Sequence, residues 1–577
     1  MSAPKRKRTR AIRRSGVNRR LFLKGLGLGG ATLGSGLGLS ACSGSGNSDA
    51  SSTVNTGTGA PVGANQSNGV QPVRFLHGVA SGDPTASAVV FWTRVTVPNT
   101  EQRVAVRLDV FEDDALQTFV KSEEFVTDAS RDFTVKIDCG GLQADRFYFY
   151  RFLSNGVSSE IGRTKTAPAD TSTRALNFGL VSCSSLGHGY FNAYGQLAKR
   201  NDLDAIVHLG DYIYEYGNGE YGGIRPYQPS HEILTLSDYR TRHAQYKQDA
   251  DLRQLHLRYP FITIWDDHES ADNSYHDGAA NHTEGVEGKW VDRKAYSQQA
   301  YDEWMPIRLP EPGNRNRIFR TLKFGQTAEW ILLDTRLYDR DVQAATPINP
   351  LDPSTANADR HMIGDEQRAF LINNMRQSTS QWKLIGNQVV FHQWIIKPGL
   401  NNPAPNPVQT LVAPSGLNGD SWDGYSAERQ KIINAIRGEN GQAPVNNVVF
   451  LTGDVHSAWV ADITDNPELP ISQAGGYNPL TGQGSVATEF VVTSVTSPGL
   501  PLPDQVIQAI RLSSPHIKHV KMSERGYSVL RVGADKTTCE YWAVSTILER
   551  GGTEYLSASF DVLKNANHID QGLPGLI

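Results

Sequence analysis

The feature that most constrains this chain is a repeated one: an apolar run of strand length that closes on Cys, Asp, Tyr, His or Asn. "LNFGLVSCSS" ends at Cys183, and "DAIVHLGDYIY" ends at Asp211 and Tyr214. "YPFITIWDDHESADN" ends at Asp266, Asp267, His268, Asp272 and Asn273. "WKLIGNQVVFH" passes Asn387 and reaches His392, and "NNVVFLTGDVHS" ends at Asp454 and His456. Helix-like stretches alternate with these runs, among them "GYFNAYGQLAKRN" (189–201), "KWVDRKAYSQQAYDEWM" (289–305) and "DEQRAFLINNMRQ" (365–377). That alternation is the pattern of an α/β layered domain. In open α/β sheets ligands sit beyond the carboxyl ends of the strands. The run ends are therefore expected to converge on one site.

Taken singly, each residue has a structural explanation. An Asp after Gly at a strand end serves as a turn or helix N-cap, and a cysteine in a Val/Ser run serves as a small core residue. The repetition of "GD", "DDHE" and "GDVH", each directly after an apolar run, points instead to a metal site. Carboxylate and amide oxygens suit hard ions such as Ca²⁺, Mg²⁺ or Mn²⁺. Phenolate, thiolate and imidazole together suit a transition ion, and a phenolate favours ferric iron. The stretch "LGDYIYEYG" (209–217) then makes sense: Tyr214 is placed to reach an iron that Asp211 also touches, with Cys183 as its thiolate, while Tyr212 and Tyr216 pack.

The 577-residue chain is 39% hydrophobic and 20% charged, as in a soluble globular protein. Its formal charge of −4 hides an asymmetry. Residues 1–42 hold ten Lys/Arg and no acid, and the remaining 46 basic and 60 acidic residues leave a body at −14. An acidic body argues against nucleic acid as the main partner. The basic leader is followed by the Gly-rich apolar "LFLKGLGLGGATLGSGLGLSAC", the layout of a secretory signal rather than a spanning helix. "NRRLFLK" (18–24) resembles the twin-arginine export motif, and "LSAC" (39–42) a lipobox with Cys42 as the lipidated residue. These features predict use of the twin-arginine export machinery, which carries folded proteins, and a periplasmic or cell-surface location, lipid-anchored if Cys42 is modified. Residues 43–71 read as a Gly/Ser-rich tether. With Cys42 set aside, Cys139, Cys183 and Cys539 allow at most one disulfide.

From residue 72 to 170 short strand-like runs such as "SAVVFWTRV", "RVAVRLDVF", "RDFTVKIDC" and "RFYFYRFLS" predict a β-sandwich of fibronectin type III-like form. Residues 171–565 form the catalytic domain of this reading, and 566–577 a C-terminal tail.

Taken together, "HGVASGDPT", "VFWTRV", "SCSS", "HLGDYIYEYG", "WDDHE", "LDTRLYDR", "GNQ" and "GDVH" resemble the PhoD-type alkaline phosphatases among the calcineurin-like metallophosphoesterases. The resemblance implies a four-layer α/β/β/α core, one Fe³⁺ with calcium ions, and hydrolysis of phosphate mono- and diesters. It assigns Cys183, Asp211, Tyr214 and His456 to iron, with Asp211 bridging to calcium, and Asp267, Asn273 and Asp454 to calcium. "SC" and "DDHE" stand where the wider superfamily has "DxH" and "GNHE", which disfavours a dizinc or dimanganese site; Zn²⁺ or Mn²⁺ remain the alternative. His268 takes the histidine position of "GNHE", near the leaving group. The implied reaction is in-line attack on phosphorus by a metal-held hydroxide or oxygen, with His268 assisting the leaving alkoxide. Asn387, His392, Arg336 and Tyr338 carry no assigned role. The same scaffold would suit a phospholipase D-type phosphodiesterase acting on lipid or teichoic-acid-type diesters. A non-catalytic wall-binding lipoprotein is the reading from another class. Nothing in the chain predicts association beyond a monomer.

Overall fold

The computed structural model describes residues 73–570, apart from 99, 101, 345–352, 397–414, 417, 500–504, 506, 508–510 and 513. The export-signal reading, Cys42, the tether and residues 571–577 of the tail lie outside the described residues.

Two sheets face one another. The first has ten strands in the order Ile569–Asp570, Glu554–Leu563, Lys536–Val544, Gly526–Val532, Leu176–Val181, Ala205–His208, Pro260–Thr263, Val79–Gly82, Ala88–Arg94, Thr134–Gly140. The second has seven: Arg320–Phe324, Ala328–Leu332, Trp382–Asn387, Val448–Thr452, Ser485–Val491, Ala458–Thr464, Ile517–Lys521. In each sheet the strands that carry the sequence motifs run parallel, so their carboxyl ends share one edge. Alternation along each strand sorts its side chains between layers. Leu176, Phe178, Leu180, Ala205 and Val207 meet Trp330, Leu332, Leu384, Val449 and Leu451 between the sheets. Val181, Ile206 and Phe261 point outward beneath a cover that includes Leu197, Tyr246, Leu252 and Tyr301. Ile331, Ile385 and Phe450 pack outward under Leu371, Met375, Ile432 and Ile433. The result is the α/β/β/α layering that the sequence implied, and the three helix-like stretches become helices Asn192–Lys199, Trp290–Trp304 and Gly364–Gln377.

The N-terminal strands are also sandwich-like, with one difference from a free-standing module. One face is a separate five-stranded sheet built on Phe119–Thr127, Val104–Phe111 and Phe147–Ser154. The other face extends the ten-stranded sheet, because Ser81 and Gly82 pair in parallel with Pro260 and Phe261. The strand that leads to Asp266 is thereby flanked on both sides. Cys139, Cys183 and Cys539 are all buried free thiols.

Candidate metal centre

Sharp turns follow the parallel strands and aim the site residues inward. Cys183, Asp211, Asp454 and His456 have φ of 59°, 55°, 65° and 56°, and Asn273 has 54°. A left-handed backbone is uncommon for residues other than glycine and costs energy, so it persists only where surrounding contacts enforce it. Gly210, at φ 102°, is needed as glycine: a Cβ there would lie 2.4 Å from Cβ of Asp266. The turn residues are stitched across strands by Cys183 N–H to Gly210 O (3.1 Å) and Ser184 N–H to Asp211 O (2.9 Å).

The structure brings Cys183, Asp211 and His456 into one group whose ligand atoms all lie within 4.8 Å of each other. A second group of the same kind, Asp211, Asp267 and His268, shares Asp211 with it, and a third, Asp266, Asp267 and Asp454, shares Asp267 with the second. The Tyr214 hydroxyl joins the first, 2.9 Å from Asp211 Oδ2 and 3.2 Å from His456 Nε2. Ser497 Oγ supports it from the far side, 2.6 Å from Tyr214 Oη and 2.9 Å from Cys183 O. His456 Nδ1 donates to Pro498 O at 3.0 Å, which leaves Nε2 as the inward lone pair. Asn273 sits at the partly exposed margin, its N–H donating to Asp267 Oδ2 at 2.6 Å. Tyr212 is tied to His256 Nε2 at 2.9 Å, and the Tyr216 ring packs against those of Tyr221 and His268.

Several site-building residues carried no signal in the sequence pattern. Glu269 accepts the backbone N–H groups of Asp211 (3.0 Å), Tyr212 (2.5 Å), Ile213 (3.3 Å) and Asp266 (2.6 Å). It thus fixes the Asp211–Tyr214 turn to the "WDDHE" turn. Glu215 accepts from His268 Nδ1 at 2.6 Å and from the Asp272 N–H at 2.8 Å. That contact orients the His268 ring, which lies 4.2 Å from the Tyr214 ring, centroid to centroid.

Arg336 is held among carboxylates of the ligand groups. Fully buried, it pairs through Nε with Asp266, through Nη1 with Asp420 at 2.9 Å, and through Nη2 with Asp454 at 3.2 Å. Tyr338 points away and donates to Glu366 at 2.6 Å. Asn387 is consumed by Val389 O, Thr452 Oγ1 and the Trp422 indole N–H. His392 is held by Glu489 at 2.6 Å. His392 belongs to none of the three ligand groups.

The electrostatics fit a cationic occupant. Burial, reinforced by Asp267, Glu269 and Asp454 against the pull of His268, holds Asp211 well above the usual carboxylate range. Burial likewise raises Asp266, the Cys183 thiol and the Tyr214 phenol. Each shift comes first from burial, with neighbouring anionic groups adding to it, and a bound cation works against both. Asp211 Oδ1 and Asp266 Oδ2 are buried with no hydrogen-bond partner, although buried carboxylate oxygens are normally satisfied. The donor set has soft, phenolic and hard oxygen members side by side.

Comparison with known proteins agrees. The family model described as PhoD-like phosphatase matches residues 178–541, and that of the PhoD-like phosphatase N-terminal domain matches 62–168. Alkaline phosphatase D of Bacillus subtilis (strain 168) is 35% identical over 507 residues, which cover 84% of this chain and 80% of that protein. A solved structure titled "Structure of PhoD" superimposes with a TM-score of 0.75 at 33% identity, covering 86% of this chain and 91% of the other. The purple acid phosphatase PPD1 of yellow lupin (Lupinus luteus) seeds shares the fold at 12% identity, with a TM-score of 0.52 and coverage of 84% and 73%.

Proposed function

The chain belongs to the PhoD-like phosphatase family and is a phosphoric ester hydrolase, and we propose that it is an exported enzyme whose site holds Fe³⁺ beside Ca²⁺. In this reading Cys183, Asp211, Tyr214 and His456 hold iron. Asp267, Asn273 and Asp454 hold calcium, with Asp211 shared between the two. The observation that carries it is the Tyr214 hydroxyl within hydrogen-bonding reach of both Asp211 and His456, next to the Cys183 group. The buried phenol is what favours ferric iron over a zinc or manganese pair, since a thiolate also serves zinc.

When bound, the ions supply positive charge for the phosphoryl oxygens and acidify water. The protein's own contribution is placement and proton supply. His268 is the general acid for the leaving alkoxide through Nε2, since Nδ1 is committed to Glu215. Burial opposes its protonation, but Glu215, Asp267 and Asp211 outweigh burial and hold its pKa well above the usual imidazole value. Glu269 and Ser497 keep the two turns that carry Asp211, Tyr214 and Cys183 from relaxing. The buried walls strengthen each electrostatic contact.

Export by the twin-arginine route, with Cys42 as a lipid attachment point, is part of this proposal and rests on the sequence motifs. No helix among the described residues is long and apolar enough to cross a membrane. The test is metal analysis of the exported protein with a visible spectrum. Stoichiometric iron, calcium, and a tyrosinate charge-transfer band lost in Tyr214→Phe are expected, as is loss of turnover and metal in Asp211→Asn. A colourless protein holding zinc or manganese, or a folded Asp211→Asn variant with near-normal activity, would overturn the assignment.

A further inference from the structure

The arginines around the site are nearly all spoken for. Arg336 and Arg340 are paired with Asp420 and its neighbours, and Arg293 with Glu232. Arg242 donates to the carbonyls of Tyr214, Tyr216, Gln228 and Pro229. Arg525 differs. It stands at the head of strand Gly526–Val532, is half-buried, and forms no ion pair with a carboxylate among the described residues. Its Nη1 donates to the carbonyls of Met522 (3.2 Å) and Glu524 (2.7 Å), which orients the guanidinium without neutralising it.

Nη2 of that guanidinium lies beside the Ser497–Gly499 turn, which touches the metal centre. A Cβ placed on Gly499 would lie 3.1 Å from Arg525 Nη2 and 2.8 Å from His456 O. Gly499 ends the Ser497–Gly499 turn, whose first residue touches Tyr214 and Cys183 and whose second accepts from His456. Cys183, Asp211 and Tyr214 are 0% exposed, whereas His456 is 7% exposed and Pro498 is open to solvent, so this turn forms one margin of the site, as Asn273 forms another. Tyr221 stacks on Tyr214 at 5.3 Å and meets His188 at 4.4 Å, ring centroid to centroid, so aromatic rings line the site beside Arg525.

An uncompensated guanidinium fixed beside an anion-processing centre needs an anionic partner, and its planar donor fork suits phosphate oxygens. We propose that Arg525 is a substrate-binding residue that engages a non-bridging phosphoryl oxygen at this margin of the site and thereby favours dianionic monoesters over monoanionic diesters. This rests on the phosphoesterase reading of the site.

The test uses metal-loaded full-length protein and compares wild type, Arg525→Ala and Arg525→Lys. Inorganic phosphate affinity is measured by calorimetry, and kcat and KM with para-nitrophenyl phosphate and bis-para-nitrophenyl phosphate. Arg525→Ala is expected to weaken phosphate binding and monoester kcat/KM by about 10- to 100-fold, the range of a lost charge-assisted hydrogen bond. The diester value should fall about threefold or less, consistent with its single charge. Arg525→Lys should recover part of the loss, with metal content unchanged. Unaltered phosphate affinity in Arg525→Ala would overturn the proposal. So would equal losses on both esters accompanied by loss of metal, the signature of a structural arginine. A wild type that binds phosphate through Arg525 yet cleaves neither ester would uphold the clamp and refute the hydrolytic mechanism instead.

Discussion

Glu269→Gln isolates the contribution of one buried carboxylate to the shape of the site. The native carboxylate accepts four backbone N–H groups, two on each oxygen, from Asp211, Tyr212, Ile213 and Asp266. A glutamine keeps one acceptor oxygen and turns a donor toward the other pair of amides, so two buried N–H groups lose their partner. At roughly 1–3 kcal/mol for each unsatisfied buried group, the loss is about 2–6 kcal/mol. With an unfolding entropy of about 2.1 cal/mol/K per residue over roughly 500 residues, that lowers Tm by about 2–6 °C. The affected amides lie in the turns that carry Asp211 and Tyr214, so metal occupancy should fall with Tm. The control is Glu428→Gln. Glu428 is a buried carboxylate that accepts from the Met362 and Ile363 N–H groups and pairs with Arg368 at 2.8 Å, outside the ligand groups. It should lower Tm and leave metal content intact. Differential scanning fluorimetry with parallel metal analysis reads both. A Glu269→Gln protein with wild-type Tm and full metal content would refute the idea that this residue sets the turn geometry.

Three further outcomes follow from the same structure. Chelator-stripped protein should be most stable near pH 6.5. Above that, Glu269, raised by burial from 4.5 to about 8, loses its bound proton in the folded state, which removes about 2 kcal/mol by pH 8, and Asp211 and Asp266 shift in the same direction. Below it, His77, His208, His243 and His516, depressed by burial to about 3, each cost about 2 kcal/mol by pH 5, because only the unfolded chain protonates them. Stripped protein that gains stability between pH 6.5 and 8 would contradict this, and reloading metal should flatten the alkaline fall. Ser497→Ala removes the hydroxyl that touches Tyr214 Oη and Cys183 O and should weaken metal retention by about 10-fold or more in competition with a chelator, as loss of an outer-shell partner does. Lys247→Met should raise stability by about 1–2 kcal/mol at unchanged turnover. Lys247 is buried with its ammonium disfavoured; it meets His256 Nε2 at 3.0 Å, which Tyr212 also engages, and lies over the Trp92 and Tyr212 rings at 4.7 and 5.3 Å; a drop in Tm would refute it.

What was legible in the sequence was what local pattern encodes. An apolar run followed by "GD" or "DDHE" states both a strand and its functional end, so the layered fold and the gathering of Cys183, Asp211, Tyr214, Asp267, Asp454 and His456 could be read from it. Which way a strand-end side chain turns could not. Asn387 and His392 follow the same kind of run, yet they serve Trp422, Thr452 and Glu489. Glu215 and Glu269 sat inside quoted motifs without revealing a role, because their partners are backbone amides and a histidine whose placement depends on two turns at once. Ser497 and Arg525 come from segments with no motif, about 300 residues from Cys183 in the chain. The pairing of Ser81 with Pro260 was invisible for the same reason: a parallel register between distant strands leaves no periodicity behind.

The left-handed turns bind these observations together. Each such residue other than glycine costs on the order of 1–3 kcal/mol, and the structure holds Cys183, Asp211, Asp454 and His456 in that conformation at once. Asp tolerates it through its short polar side chain, whereas Cys and His gain nothing locally. The opposing contributions come from bonds between the turns: Val495 N–H to Ser182 O (2.9 Å), Gly453 N–H to Gln388 O (3.2 Å) and Ser497 N–H to Cys183 O (3.2 Å). These bonds link the edges of both sheets. Strand packing therefore supports the turn geometry directly, so substitutions of ligand side chains that spare the stitching should empty the site without moving it.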